Sequence, residues 1–330
     1  MSPNSLCGTA LCIAFTILSG RIEAQSISQR EIDAFPSKPI RFVVPFPPGG
    51  SNNALARMFA QKMGGHWGQQ IIVDNRPAAG SIIGSEITAR ASADGYTILM
   101  VGQGYFLNPS LYKTLPYDTI KDFARISMLV STPSMLAAHP SVKANTTKEL
   151  LAIGRVSPGK LNYASPSIGS NGHLSMELLS YMAGVKFIHI PYKGGGDALT
   201  ALLSGEVHLI FTAPSSVIQH IKSDRLRAIG VSSTKRISSM PDVPAIAETI
   251  PGYEVLNAHG VLAPGKTPKP IINKLHAEFM RILQLSDMKE RMAGLGLDPV
   301  GSSPDEFTTT TIENIKRFSK VLANAGIKAE

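Results

Sequence analysis

The sequence predicts an α/β protein made of two doubly wound units, and three observations support this. Apolar strands alternate with helices from Ile40 to Val101, and the alternation begins again after residue 146. Such alternation builds parallel sheets with right-handed crossovers. A chain of 330 residues exceeds one typical core and suffices for two domains. Finally, each half contains a turn of small residues that leads from a strand into a helix.

The first half opens with the apolar strand Ile40–Val44, which a Pro/Gly turn at residues 45–50 follows. Apolar residues at helical spacing within 55–59 predict a helix that begins at Ser51 or Asn52, both good N-cap residues. The remaining elements predicted for this half are a strand at 70–75, a helix at 81–91, a strand at 96–101, an irregular segment at 105–125 and a long strand at 126–138, interrupted at Pro133, that crosses between the two units.

The second half repeats the pattern. Residues 146–149 carry capping chemistry that predicts the start of a helix. A small-residue turn at 165–173 then opens another helix, as the turn at 45–50 does in the first half. The other predicted elements are strands at 161–164, 186–190, 207–211 and 226–231, a helix at 197–203, a return strand at 252–263, and C-terminal helices at 268–283, 286–295 and 304–325.

The turn at residues 45–53 has the composition of an anion site. A helix that begins there offers free N–H groups and the positive end of its dipole. Gly49 and Gly50 would let an anion approach the backbone closely. The turn therefore suits a carboxylate or a phosphate, although an ordinary strand-to-helix turn explains the same residues.

Composition and charge indicate a globular protein that handles small anions. The chain is 43% hydrophobic and 17% charged, and its net charge is +8. Lys and Arg are scattered, with no basic run longer than two residues. A dispersed positive field suits small anions, whereas nucleic-acid binding usually requires a clustered basic patch. We therefore expect no nucleic-acid partner.

The N-terminus predicts export. The apolar segment at residues 6–18 is too short to span a bilayer and resembles a secretory signal, with cleavage expected after Ala24. Residues 25–35 are expected to form a flexible leader. Cys7 and Cys12 both lie in the segment to be removed and do not fit a lipoprotein pattern. We therefore predict a periplasmic protein without a lipid anchor, and a mature chain without a disulfide or a cysteine nucleophile.

No motif predicts catalysis, a metal or a cofactor. Residues 260–267 match the phosphate-loop pattern G-x-x-x-x-G-K-T. However, Pro268 and Pro270 follow immediately and remove two N–H donors where phosphate would need them. Thr267 is better interpreted as an N-cap with Pro268 at the first helical position. The histidines lack metal-ligand spacing, and no nucleophile–base motif occurs. We therefore expect that the protein is not an enzyme.

Short sequence segments, in order, resemble one receptor family. They are PSKPIR at 36–41, VPFPPGGS at 44–51, DNRP at 74–77, DGYT at 94–97, NPSLY at 108–112, LPYD at 115–118, PGKLNYAS at 158–165, PYKG at 191–194 and LAP at 262–264. In this combination the chain resembles the periplasmic solute-binding receptors of tripartite tricarboxylate transporters, often called Bug receptors. The resemblance extends from about residue 36 to residue 327.

The resemblance implies a two-lobed periplasmic binding protein of type II-like architecture, whose two doubly wound sheets are joined by two crossover strands. On this basis lobe 1 comprises residues 36–133 and 254–330, and lobe 2 comprises residues 134–253. The lobes are expected to close on a ligand like a flytrap. The residues implied for the lobe 1 wall are Phe46, Pro48, Gly49, Ser51 and Asn53. Those implied for the lobe 2 wall are Ser165, Gly169, Ser170 and His173.

Two departures from the family pattern bear on the ligand. The family often has Asp at the position of Asn53, and Asp-Asn where this chain has Thr212-Ala213. Both changes remove negative charge, so the site, which also includes Thr212, suits an acid without an amino group. We therefore predict a monomeric receptor that delivers a small organic acid to membrane transporter subunits. A ligand-sensing partner of a membrane signalling protein, or a hydrolase or transferase using the same cleft, remains the alternative.

Overall fold

Two separate sheets organise the chain in a computed structural model that describes residues 29–46, 48, 51–77, 81–237 and 239–324. The predicted signal peptide at 1–24, residues 25–28 of the leader, and Gly49 lie outside these residues. The strands are β1 Ile40–Val44, β2 Ile71–Asn75, β3 Thr97–Val101, β4 Phe123–Pro133, β5 Met135–Ala138, β6 Asn162–Ser165, β7 Ile188–Pro191, β8 Leu209–Thr212, β9 Arg227–Val231, β10 Leu256–Pro264 and β11 Asp298–Pro299.

Helices cover both faces of both sheets. They are α1 Gln29–Ala34, α2 Ser51–Trp67, α3 Ile82–Ala89, α4 Gln103–Leu111, α5 Thr147–Val156, α6 Asn171–Ala183, α7 Gly195–Ser204, α8 Pro214–Lys222, α9 Lys269–Leu283, α10 Ser286–Gly294 and α11 Pro304–Asn324. The capping residues predicted for α5 are confirmed, since the Thr146 side chain accepts a hydrogen bond from the Glu149 amide, 3.2 Å away.

Lobe 1 is built on the sheet with strand order β11-β4-β10-β3-β1-β2. Strand β1 is parallel to β2 and β3, which confirms the predicted doubly wound core. Strands β10, β4 and β11 extend this core antiparallel to their neighbours. Helices α2, α9 and α10 pack on one face, where Phe59 and Phe279 meet edge to face with ring centroids 5.2 Å apart.

Lobe 2 is built on the sheet with strand order β7-β6-β8-β5-β9. Strand β6 is parallel to β7 and β8, and β5 is antiparallel to β8 and β9. Helices α5 and α6 cover one face, and α7 and α8 cover the other. The predicted second doubly wound unit is therefore present, with one antiparallel strand that arrives from lobe 1.

The two crossovers between the lobes are held together by one serine. Pro133 ends β4 and Ser134 precedes β5, while Val255 precedes β10. The Ser134 amide donates to Ser232 Oγ at 2.7 Å, and this hydroxyl donates to the Val255 carbonyl at 2.5 Å. Ser232 has no exposed surface, so both crossing chains meet at a buried hydrogen-bonded point.

Three α-helices were not expected from the sequence. Residues 103–111, of which all but two were expected to be irregular, form helix α4 despite Pro109. Its residues 105–108 are all buried, and a helix that is apolar around its circumference shows no amphipathic period. Helix α8 was not predicted either. In the expected flexible leader, residues 29–34 form α1, and Lys274 Nζ donates to the carbonyls of Ile32 and Phe35 at 2.8 Å.

Helix α11 packs against both lobes, whereas the predicted boundaries assigned it to lobe 1. Its Phe307 is buried among lobe 1 side chains, whereas Phe318, Val321 and Leu322 are buried in the lobe 2 core. A helix of 21 residues is about 30 Å long, and its two ends pack in two different cores. Leu107 of α4 also lies in the lobe 2 core.

Candidate functional site

Four helix N-termini point toward the gap between the lobes. In lobe 1, parallel strands β1 and β3 lie side by side and lead into α2 and α4. In lobe 2, parallel strands β6 and β8 lie side by side and lead into α6 and α8. Ligands of open α/β sheets bind at such switch points, beyond the carboxyl ends of the strands. The gap is therefore the place to look for a site.

A cavity of about 170 Å³ lies at the lobe 2 side of this gap. None of the described residues that line it carries a charge. An internal water occupies about 30 Å³, so the cavity accommodates a carboxyl group and a few further atoms. It is lined by Thr132, Pro133, Ser134, Pro166, Ser170, Asn171, Gly172, Phe211, Thr212, Ala213 and Asn257.

Asn171 offers this cavity a free donor. Its Oδ1 accepts hydrogen bonds from Ser134 Oγ at 2.9 Å and from Ser175 Oγ at 3.4 Å. The Nδ2 atom is buried and has no hydrogen-bond partner among the described residues. An unsatisfied buried donor costs about 1–3 kcal/mol, so a ligand that accepts this hydrogen bond is favoured.

Gly172 lets α6 approach the sheet closely. A Cβ atom at this position would lie 2.6 Å from the carbonyl oxygen of Phe211 in β8. Backbone atoms cannot rotate away, so only glycine allows this approach. The amides of Asn171 and Gly172 lie in the first turn of α6 and have no acceptor within the helix. The glycine therefore places two backbone donors at the cavity wall.

The turn before α6 is held by its own hydrogen bonds. The hydroxyls of Ser165 and Ser170 both donate to the Ser167 carbonyl, at 2.9 and 2.7 Å. The Gly169 amide donates to His173 Nδ1 at 2.9 Å, and Gly169 has a φ of 75°, which favours glycine. Ser170 thus lines the cavity, whereas Ser165, Gly169 and His173 shape the turn that presents it.

His173 is buried beneath the turn against an aromatic stack. Its ring lies 4.0 Å from that of His189, which in turn lies 4.9 Å from Tyr163. Burial, assisted by the neighbouring His189, lowers the pKa of His173 to about 3. Burial also lowers the pKa of His189 and raises that of Glu177, whose Oε1 accepts a hydrogen bond from Tyr163. Both imidazoles are therefore neutral at physiological pH, and His173 Nδ1 is free to accept.

The lobe 1 wall contains polar groups that lack partners. Asn53, in the first turn of α2, is 6% exposed, and its Oδ1 has no partner among the described residues. Phe46 lies beside Gly102, where an added Cβ would be 3.1 Å from Phe46 Cζ and 3.6 Å from His259 Nδ1. Pro48 is exposed, and Ser51 is the first residue of α2. Phe46 therefore lies beside the start of α4, and Asn53 is buried in the first turn of α2.

Sequence reasoning did not single out Ser134, Asn171, Gly172, Asn257 or His259. Ser134 and Asn257 lie on the crossovers, and only the meeting of the two lobes brings them to the cavity. Asn171 follows the N-cap Ser170. Its position at the start of a predicted helix was the sequence feature that could have identified it. Histidine at 259 stands in a predicted buried strand and gave no signal.

The Gly-Lys-Thr end of the phosphate-loop match lies far from the gap. The match begins at Gly260 inside β10, and its residues 265–267 follow the last residue of that strand, whereas the gap is at the first residues of the strand. Eight residues of strand separate Asn257 from Gly265, a span of about 25 Å. The Gly265 and Thr267 amides donate to the carbonyls of Asp122 and Pro264, at 2.8 and 2.9 Å. These donors are therefore already used by the protein.

The described residues contain neither a metal-ligand cluster nor a membrane-spanning helix. No cluster of three His, Cys, Asp or Glu side chains among them has the arrangement of a metal site. Within the same residues, no helix combines the length and apolarity needed to cross a membrane.

Comparison with known sequences agrees with this architecture. The family model described as the tripartite tricarboxylate transporter family receptor matches residues 55–327. A protein of Pseudomonas sp. strain P51, encoded in the tcbD–tcbE intergenic region, is 36% identical over 318 residues, covering 95% of each chain. BugT of Bordetella pertussis is 34% identical over 299 residues, covering 90% of this chain and 92% of BugT.

Solved structures show the same fold. Rpa4515 of R. palustris, determined with adipate, has a TM-score of 0.72 and 31% identity, covering 90% of this chain and all of that one. MatC of Rhodopseudomonas palustris, determined with bound malate, has a TM-score of 0.68 and 29% identity, covering 87% of this chain and all of MatC.

Proposed function

Since the chain belongs to the tripartite tricarboxylate transporter receptor family, we propose that it binds a small organic acid in the gap between its lobes and delivers it to membrane transporter subunits. The observation that carries the proposal is the uncharged cavity walled by the first turns of α6 and α8. Its donors are Asn171 Nδ2, which has no partner among the described residues, and the first-turn amides of Asn171 and Gly172, which have no acceptor within the helix. Donors at a helix N-terminus favour an anion.

The proposed ligand is an acid without an amino group. An ammonium group needs an acceptor with negative charge, and the described lining of the cavity contains no Asp or Glu. Thr212 lines the cavity, where the family often has an acidic residue, and Asn53 replaces an acidic residue on the lobe 1 wall. Relatives of this fold hold adipate and malate, both organic acids. A carboxylate therefore matches both the donors and the missing charges.

The site proposed here keeps the predicted residues with different roles. Ser170, Thr212, Phe46 and Asn53 would face the ligand, as would Ser51 through its backbone. Ser165, Gly169 and His173 would shape the lobe 2 turn. Closure about the crossovers at residues 133–134 and 255–256 would then bury the ligand.

We place the protein in the periplasm, because the family serves a transporter and residues 6–18 have the pattern of a secretory signal. The mature chain would begin near Gln25 and act as a monomer without a catalytic step. N-terminal sequencing of the periplasmic fraction tests the cleavage, and recovery of an intact N-terminus in the cytoplasm would contradict it.

The binding proposal is tested by a thermal-shift screen of mono-, di- and tricarboxylates, aromatic acids and amino acids, followed by calorimetric titration of the hits. We expect one acid class to bind at one site per chain and to be recovered chemically unchanged. Small-angle scattering should give a smaller radius of gyration at saturation, because the lobes close. Absence of binding by every acid, or turnover of a bound one, would overturn the proposal.

A further inference from the structure

The two lobes are joined on one face of the molecule by two helices. Helices α4 and α11 pack on the lobe 1 sheet through Phe106 and Phe307, whose ring centroids are 6.4 Å apart. Both helices also reach the lobe 2 core, where Leu107 of α4 and Phe318 of α11 are buried on the face that α5 and α6 cover. Separating the lobes on this face would expose these side chains to water, which is unfavourable.

The opposite face has a crevice in place of such a bridge. A cavity of about 450 Å³ lies between the loop that joins α10 to β11 in lobe 1 and helix α8 in lobe 2. These elements belong to the cores on the other faces of the two sheets. Thr132 and Pro133, at the end of β4, line both this crevice and the gap cavity. Rotation of the lobes about the crossovers therefore changes the width of the crevice.

Both walls of the crevice are apolar. Lobe 2 contributes Ile218 and Ile237, and lobe 1 contributes Leu295 and Leu297. Leu297 is buried in its own lobe, whereas Leu295 is 43% exposed. Among the described residues that line the crevice, Asp298 is the one with a charge. A large apolar side chain of one lobe is therefore left in water opposite an apolar wall of the other lobe.

Two glycines flank Leu295 and leave its loop room to move. An added Cβ on Gly294 or Gly296 would meet nothing within 4 Å, so no neighbouring element packs against either residue at that point. Gly296 has a φ of 68°, a conformation that other residues rarely adopt. Glycine permits backbone rotation that a residue with a side chain would resist. The loop can therefore carry Leu295 toward lobe 2.

We infer that Leu295 is a hydrophobic latch, which seats between Ile218 and Ile237 when the lobes close and stabilises the closed state. This inference rests on the proposed function, in which an organic acid closes the lobes. Because α4 and α11 hold one face together, the lobes approach by a rotation that narrows the crevice on the other face. The apolar surface buried there favours the closed state, so it raises the affinity for the acid without contacting the acid.

Titration of Leu295→Ser with succinate, malate, citrate, adipate and benzoate tests the contribution of the latch. We expect the affinity for whichever of these acids binds the wild type to fall by about threefold to tenfold, because the closed state loses apolar burial. Leu295→Met keeps a long apolar side chain and should retain the wild-type affinity. The matched control is Val300→Ser, which removes an apolar side chain that is 44% exposed and lies outside the crevice. This control should leave the affinity unchanged.

A cysteine pair measures the movement itself. Cys7 and Cys12, the two cysteines of the chain, lie in the predicted signal peptide. Leu295→Cys combined with Ser239→Cys, on the opposite wall, therefore gives the exported chain one pair of thiols. We expect the acid that binds the wild type to accelerate disulfide formation in air-saturated buffer, because narrowing brings the two walls within reach of each other.

The two measurements decide the matter together. Slower or unchanged disulfide formation in the presence of the acid, or an unaltered acid affinity of Leu295→Ser, would overturn the latch while leaving the receptor function standing. Absence of binding of every acid by the wild type would overturn both.

Discussion

Each lobe faces the gap with turns that connect a strand to a helix, but the hydrogen bonds around these turns differ between the lobes. In lobe 2 the Ser165 and Ser170 hydroxyls share the Ser167 carbonyl, and the Gly169 amide is bonded to His173. In lobe 1, His259 Nδ1 has no partner among the described residues. The turn of lobe 2 is therefore organised before the ligand arrives, and Asn171 Nδ2 beside it is left as a donor for the ligand.

This difference suggests an order of binding. A preorganised wall loses little conformational freedom when it takes the carboxylate. Unsatisfied groups on the other wall gain hydrogen bonds only when the lobes approach, so they favour the closed state. We expect the acid to dock first on lobe 2 and the groups of lobe 1 to drive closure.

The largest effect on acid binding should come from Gly172→Ala. The added methyl would lie 2.6 Å from the Phe211 carbonyl oxygen, so α6 must move away from β8 and take its two N–H donors with it. Overpacking of this kind costs about 1–3 kcal/mol of stability, and we expect titration to detect no binding of any acid.

The matched control is Gly196→Ala, at the second position of α7, where an added Cβ meets nothing within 4 Å. This variant should bind like the wild type. Equal acid affinity of the Gly172→Ala and Gly196→Ala proteins would contradict the preorganisation of lobe 2.

The next effect concerns Asn53→Asp, which adds a negative charge to the buried lobe 1 wall. We expect acid affinity to fall by about tenfold to a hundredfold through repulsion between like charges. The same variant should gain affinity for amino acids relative to their deaminated counterparts, since the new carboxylate can accept an ammonium group.

Titration of succinate against aspartate measures both changes in one pair. Asn145→Asp adds the same charge at an exposed position of lobe 2 and should change neither affinity. Unaltered succinate binding in the Asn53→Asp protein would place the ligand away from α2.

A smaller effect, on the stability of the fold, is expected when the pH is lowered. Burial holds the pKa of His173 near 3 and that of His259 near 4, below the ordinary 6.5. The unfolded chain therefore binds protons that the folded chain excludes, so this contribution to stability is complete above pH 6.5 and is lost progressively as the pH falls from 6.5 to about 4 for His259 and to about 3 for His173.

At pH 5 this linkage costs about 2 kcal/mol per histidine, which urea denaturation at pH 5 and pH 7.5 measures. His173→Gln removes the His173 ring and should reduce the change in unfolding free energy between pH 7.5 and pH 5. An identical slope in this variant and the wild type would indicate that His173 is protonated in the folded protein.

The smallest effect should come from Lys266→Ala. This exposed residue belongs to the phosphate-loop match, at the opposite end of β10 from the gap. We expect acid affinity to stay within about 0.5 kcal/mol of the wild type. Loss of binding in this variant, with Gly172→Ala and Asn53→Asp unaffected, would mean that the ligand binds elsewhere.

Several parts of the fold followed from local pattern. Apolar runs of four to six residues predicted strands β1, β3 and β8, because a strand buried on both faces is apolar throughout. The start of α5 followed from the Thr146 cap. Helix α4 could not be predicted, because its buried residues 105–108 surround the whole helix and Pro109 is a poor helix former.

The sequence by itself determined the alternation of strands and helices, the Gly/Ser turns at helix starts and the scarcity of negative charge near them, because these depend on residues close together in the chain. Only the tertiary structure decided which of those turns share a cavity, that His173 supports a turn while Asn171 faces the gap, and that His259 lies beside Gly102. Those contacts join residues from tens of positions to more than a hundred positions apart, or opposite faces of one helix turn. Their partners are chosen by packing between the two sheets, which no local spacing records.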